Sequence, residues 1–206
     1  MNQFVAVKPM TGVAWPRLPW VTIALTCIAL IAQCDSGIAG ALEYQRDTIA
    51  GGQLWRLITG HFAHWTAAQF GCDALAFFVL GTAVEIIVGW RWLLMVALLS
   101  AGAISGGIWI AKPDVAVYRG LSGIASALLV ALGVLLLRRG TQDRDRPAAL
   151  AAATLLLAIA LKTAMEAVTG SPLIVSEDEA FRPILLTHWL GSACGLGVSL
   201  LWQWKR

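Results

Sequence analysis

Six apolar runs, separated by more polar connections, dominate this chain and leave few folds open to it. A helix needs about 20 apolar residues to cross the hydrocarbon core, and in lipid only helices and closed barrels satisfy their own backbone. The runs lie at 20–33, 66–88, 93–110, 120–137, 147–168 and 183–202. The first is short for a span and resembles a signal peptide. With further spans behind it, it reads as the first crossing. Cys34 does not read as a lipoprotein cleavage site, because the preceding Gln33 is not small. Of the 206 residues 58% are hydrophobic and 13% charged, and a soluble domain carries about twice that charge. The net charge of +3 is too small to argue for nucleic acid. The expected architecture is an all-α polytopic membrane protein, with a cytoplasmic lead at 1–19 and one six-helix membrane domain at 20–206. No internal repeat or low-complexity segment divides it.

Orientation follows from the basic residues, which concentrate on the cytoplasmic side of membrane spans. With six crossings, Lys8, Arg17, Arg91, Arg138, Arg139, Arg144, Arg146, Lys205 and Arg206 fall on one side. Arg46, Arg56, Lys112, Arg119 and Arg182 fall on the other, and Lys162 lies inside the fifth span. Both termini are therefore expected inside. Trp15, Trp20, Trp90, Trp92, Trp202 and Trp204 would mark the inner interface, and Trp55, Trp65, Trp109 and Trp189 the outer one. Cys27, Cys34, Cys72 and Cys194 form no CxxC pair and read as buried free thiols. The connection at 35–63 is too long for a simple turn and should carry structure or function.

Two distant stretches then come to the same depth. Gly120-Leu121-Ser122-Gly123 opens the fourth run, entering from the outside, and Thr187-His188-Trp189-Leu190-Gly191 lies near the outer end of the sixth. A serine with a histidine is a nucleophile with a base. Either alone says little, since small polar residues also pack membrane helices together. Helical phase strengthens the pairing. His188, Gly191, Gly195 and Ser199 share one stripe, and Ser122, Ser126 and Gly133 form another. If the stripes face each other, helix packing itself brings imidazole to hydroxyl. A serine at a helix start also sets an oxyanion against free backbone N–H groups and the positive dipole end.

The third stretch, Gly60 to Asp73, lies at the outer end of the second span. Gln69 and Asp73 share a face, with Thr66 one turn earlier. A Gln amide can donate to an oxyanion; an ionised Asp cannot. Asp73 must be protonated, point elsewhere or orient a histidine. His61-x-x-His64 lacks the glutamate of an HExxH zinc site, so no metal and no cofactor are expected. Glu85, near the inner end, should bind backbone N–H groups or Arg rather than do chemistry. Lys162 and Glu166, four apart, should pair, which disfavours a Ser–Lys dyad.

Taken jointly, these motifs resemble the rhomboid intramembrane serine proteases, over about Leu54 to Leu201. Leu54-Trp55-Arg56-Leu57 with His64 is similar to the first outer loop of that family. Gly81-Thr82-Ala83-Val84-Glu85 is similar to the end of its second span. Gly120-Leu121-Ser122-Gly123 matches the nucleophile motif, and His188-x-x-Gly191-x-x-x-Gly195 matches the base motif. The resemblance implies a six-helix bundle, a Ser122–His188 catalytic dyad and no cofactor. Gln69, Asp73 and Gly120 would line the oxyanion site, and Gly191, Gly195 and Ser126 would pack the helices. Where rhomboids usually carry His and Asn as oxyanion donors, this chain has Gln69 and Asp73. The small size and Lys162-x-x-x-Glu166 look most like the rhombosortase branch. That branch implies a bacterial inner-membrane enzyme with its site at the periplasmic face. Its substrates would be exported proteins with a Gly-Gly, hydrophobic-helix and basic C-terminal tail. Two other readings stand beside it, an inactive rhomboid relative that binds membrane segments and a small membrane carrier or channel.

Overall fold

The structure, a computed structural model, describes residues 18–169 and 184–201. The basic lead at 1–17, the acidic Glu177-Asp178-Glu179 loop, and both ends of the expected sixth run lie outside the described residues. The elements in order are α1 (Trp20–Cys34), α2 (Ser36–Leu42), β1 (Tyr44–Gln45), α3 (Arg46–Ala50), α4 (Arg56–Thr59), a 3-10 turn (Gly60–Phe62) and α5 (Ala67–Ile87). After these come α6 (Trp90–Ala111), β2 (Val117–Tyr118), α7 (Ser122–Gln142), α8 (Arg146–Thr169) and α9 (Leu185–Leu201).

Four of these helices, α5 to α8, are long and apolar enough to cross a membrane. The pair α1 and α2, bent by 120°, makes a fifth if counted as one span. The bend falls at Asp35, whose carboxylate accepts from the N–H groups of Gly37 (2.8 Å) and Ile38 (3.0 Å) and so caps a new helix. Helix α9 has 17 residues, about 26 Å of rise. Helix α6 begins at Trp90, three residues before the expected Leu93, because the chain reverses at Val88–Gly89 alone. Trp92, in the first turn of that helix, packs into the core at 2% exposure. The cysteines also depart from expectation. Cys27, Cys34 and Cys72 are exposed on α1 and α5, and Cys194 is half-buried.

The first and fifth helices are locked end to end. Glu85 accepts from the N–H of Val21 (3.1 Å) and from the N–H (2.8 Å) and hydroxyl (2.7 Å) of Thr22, capping α1 from 63 residues away. Thr22 is fully buried, so no water can replace the carboxylate. A Glu85→Ala variant is expected to lose about 2–3 kcal/mol, read as a lower thermal midpoint in detergent, since it strands two buried donors.

Helix α7 is the centre of the bundle, packed against α5, α6, α8 and α9. Its contact with α9 is made through backbone. A Cβ on Gly191 would lie against the Gly123 carbonyl oxygen, and one on Gly195 against that of Ala127. Ser199 continues the series one turn on, 3.5 Å from the Ala131 carbonyl. The expected glycine stripe on α9 is thus the contact face, but its partner stripe is Gly123, Ala127 and Ala131. Ser122, Ser126 and Gly133 are not that stripe. The Ser126 hydroxyl turns back to the Ser122 carbonyl of its own helix (2.9 Å), and Gly133 faces Leu156 of α8. At Gly123 and Ala127 the facing row lies one residue C-terminal of Ser122 and Ser126, which leaves the Ser122 side chain at the edge of the contact rather than inside it.

Residues 35–66 carry structure of their own, held by arginines that fill backbone carbonyls. Arg56, 7% exposed, donates to the carbonyls of Gly40 and Glu43 (2.8 Å each) and to the Gln53 amide oxygen (2.7 Å). Arg46 closes the C-terminus of α6 through the Ile108, Trp109 and Lys112 carbonyls. Tyr44 pairs with Tyr118 in the two-residue β1–β2 ladder. Arg119 binds Glu43 (2.7 Å) and lies over the Trp65 ring. The loop is thereby tied to the segment that leads into α7.

Candidate active site

The serine is placed by a turn only glycine can make. Gly120 has φ +133°, and a Cβ there would meet the Gln69 amide nitrogen at 2.7 Å and Asp73 Oδ2 at 3.3 Å. The chain then enters α7 with Ser122 as its first residue. Among the described residues no side chain caps this helix, whose N-cap is Leu121, so the first-turn N–H groups are left for whatever occupies the site. Ser122 is partly exposed, whereas its neighbours are buried.

His188 meets it from α9. Nε2 lies 3.1 Å from Ser122 Oγ, and the ring is 5% exposed. On the other side Nδ1 lies 2.8 Å from Glu166 Oε2 of α8. Glu166, 6% exposed, uses its second oxygen to accept from Lys162 Nζ at 2.7 Å. Lys162 Nζ is also 3.1 Å from His188 Nδ1. The expected Lys162–Glu166 pair is present. The sequence reading missed that the pair closes on the histidine. The signal was available: Glu166 lies near the end of its apolar run that was expected to face outside, the side expected for His188.

Gln69 and Asp73 come in from α5. The Thr66 hydroxyl accepts from the Gln69 N–H (3.1 Å), while Gln69 Oε1 accepts from the Trp65 N–H (2.9 Å). This Thr-x-x-Gln arrangement is close to a capping box. It fixes which end of the amide is which: Oε1 is held by the cap, so Nε2 points at Gly120 and donates weakly to the Arg119 carbonyl (3.3 Å). Asp73 Oδ2 is 3.5 Å from His64 Nε2, beyond good hydrogen-bond length. Gln69, Asp73 and Gly120 therefore converge next to Ser122. Gly191 and Gly195 lie below His188 on the contact face.

His61 goes elsewhere. Its Nε2 N–H is shared by the Ala101 carbonyl and the Ser105 hydroxyl oxygen, both at 3.2 Å, and Ser105 in turn donates to Leu57. Burial pushes its pKa down to about 4, so it is neutral at neutral pH and ties the loop to α6. His61 and His64 thus face different partners. Among the described residues, no three His, Cys, Asp or Glu side chains converge as metal ligands would.

A serine hydroxyl hydrogen-bonded to an imidazole, with uncapped N–H groups and an amide nearby, can support nucleophilic attack on a carbonyl. The family comparison agrees with that frame: the family model of the Rhomboid domain matches residues 51–205. The chain belongs to the rhomboid family. No curated protein matches it. The rhomboid match takes in α5 to α9 and the Arg56 loop, and so every residue of the site. It implies a membrane protein with an intramembrane serine protease-type fold, in a family whose members include inactive relatives.

Proposed function

We propose that this rhomboid is an active intramembrane serine endopeptidase using Ser122 and His188. The observation that carries the reading is the 3.1 Å Ser122 Oγ–His188 Nε2 contact beside an uncapped helix start. Ser122 Oγ attacks the scissile carbonyl and its proton passes to His188 Nε2. The Ser122 backbone N–H and Gln69 Nε2 bind the oxyanion. His188 then gives the proton to the leaving amine, and water entering from the outer face releases the acyl group by the reverse steps. A Gln69→Ala variant is expected to lower the cleavage rate about 10- to 100-fold, measured as turnover of a transmembrane substrate. The loss is held below the usual range because the backbone N–H donor remains.

In this proposal six spans place both termini in the cytoplasm and the site at the periplasmic side of a bacterial inner membrane. The substrates are exported proteins with a Gly-Gly and hydrophobic C-terminal tail, an assignment that rests on the resemblance to rhombosortases. Glycine is a poor helix former, so such a tail unwinds readily at the serine. Co-expression with a Gly-Gly-tailed protein tests the substrate, and a tail left attached would remove that assignment.

Asp73 favours a second reading, a relative that binds membrane segments without cutting. Its Oδ2 faces Gly120 with no hydrogen-bond donor. A fluorophosphonate probe separates the two readings. Label mapped to Ser122 in the folded wild type supports the protease, and unlabelled protein that still captures a tailed substrate supports the binder.

A further inference from the structure

We propose that Glu166 is a positioning residue that sets the tautomer of His188, and that Lys162 holds the carboxylate in place for that task. The inference rests on the protease reading above and extends it from two residues to a four-residue relay, Lys162–Glu166–His188–Ser122.

The geometry offers His188 two arrangements, and only one can do the chemistry. In the first, Nδ1 carries the proton and donates to Glu166 Oε2 at 2.8 Å. Nε2 is then a bare lone pair, 3.1 Å from the Ser122 hydroxyl and ready to accept its proton. In the second, Lys162 Nζ donates to Nδ1 across 3.1 Å, the ring proton sits on Nε2, and the imidazole donates to Ser122. A histidine in that state cannot act as the base. Which arrangement wins depends on the carboxylate. An ionised Glu166 only accepts, so it demands the proton on Nδ1. Its other oxygen takes the Lys162 ammonium at 2.7 Å, which directs that cation's hydrogen bond away from the ring.

Burial makes the pairing decisive. Glu166 and His188 are 6% and 5% exposed, and an unpaired charge at that depth is costly. Lys162 and Glu166 together are neutral. When His188 takes the serine proton, the relay gains one positive charge as the substrate oxygen gains one negative charge, so the site as a whole stays neutral. Among the described residues, the other groups near the ring are few. Ser122 and Tyr118 face this end, Asp73 of α5 lies within electrostatic range, and α6 carries its one charged residue, Arg91, at the opposite end.

The test measures the fluorophosphonate labelling rate at Ser122 against pH for the wild type, Glu166→Gln, Glu166→Asp and Lys162→Met. Glu166→Gln keeps the shape but can donate to Nδ1 and so stabilise the wrong tautomer. Its rate at pH 7 is expected to fall about 100-fold or more; loss of the same control in other serine proteases costs about 10⁴-fold. Glu166→Asp keeps the charge and should recover part of the rate. The pH midpoints should move in opposite directions. Removing the anion lowers the midpoint, because it stabilised the imidazolium, and removing the cation in Lys162→Met raises it. A purely structural pair would not give opposite shifts. A labelled wild type with an unaffected Glu166→Gln overturns this inference and leaves the protease reading intact. A folded wild type without label at Ser122 overturns both. Should Glu166→Gln fail to fold, Glu166→Asp and Lys162→Met still decide, because unchanged rates and midpoints in both overturn the relay.

Discussion

Ser122→Ala is expected to abolish fluorophosphonate labelling and tail cleavage while leaving the thermal midpoint within about 0.5 kcal/mol of wild type. The hydroxyl is partly exposed and its side-chain partner is the imidazole, so its loss opens no buried cavity. His188→Ala should be equally inactive but less stable, because it strips Glu166 Oε2 of its donor in a buried setting. The two changes should not add in activity. In a serine–histidine unit either single loss removes nearly all the acceleration, on the order of 10⁶-fold, and the double variant is no worse. Cleavage assays on both singles and the double check this. Full cleavage by Ser122→Ala would end the protease reading.

The second large effect lies in the packing. Gly191→Val and Gly195→Val are each expected to destabilise the bundle by about 3 kcal/mol and to eliminate activity. At both positions the new Cβ would collide with a carbonyl oxygen of α7, at Gly123 and at Ala127. Backbone cannot swing aside as a side chain can, so α9 must move away from α7. Since α9 carries His188, a displacement of about 1 Å is enough to break the contact with Ser122. Gly197→Val serves as the control, because a Cβ there meets nothing within 4 Å. Its thermal midpoint and labelling should match wild type. Equal losses in all three variants would show that bulk on α9, not the close approach, is what matters.

Much of this was legible in the chain because lipid enforces simple rules. Apolar runs became helices, Ser122 and His188 came within 3.1 Å of each other, and Glu85 found backbone N–H groups. The failures share a cause, which is that periodicity gives a face but not the partner it meets. The α9 stripe follows from the sequence, yet at Ser122 and Ser126 its counterpart on α7 is one residue further on, a rotation of about 100°. Glu166 was read only against its neighbour in the same helix. Its bond to His188 spans two helices and a connection, and no local pattern encodes that.

The order of these helices along the chain has a consequence for the protein's own synthesis. Ser122 opens α7, but the imidazole that would activate it stands 66 residues later, and the carboxylate that would orient that imidazole lies between them. Chains emerge from their N-terminus. A partly made molecule therefore presents an ordinary alcohol to the membrane, with no base beside it. Activation would wait for α9 to dock along the bare backbone of Gly123, Ala127 and Ala131. On the protease reading, the docking of α9 acts as a built-in safety catch, keeping a bundle that lacks it from attacking its membrane neighbours.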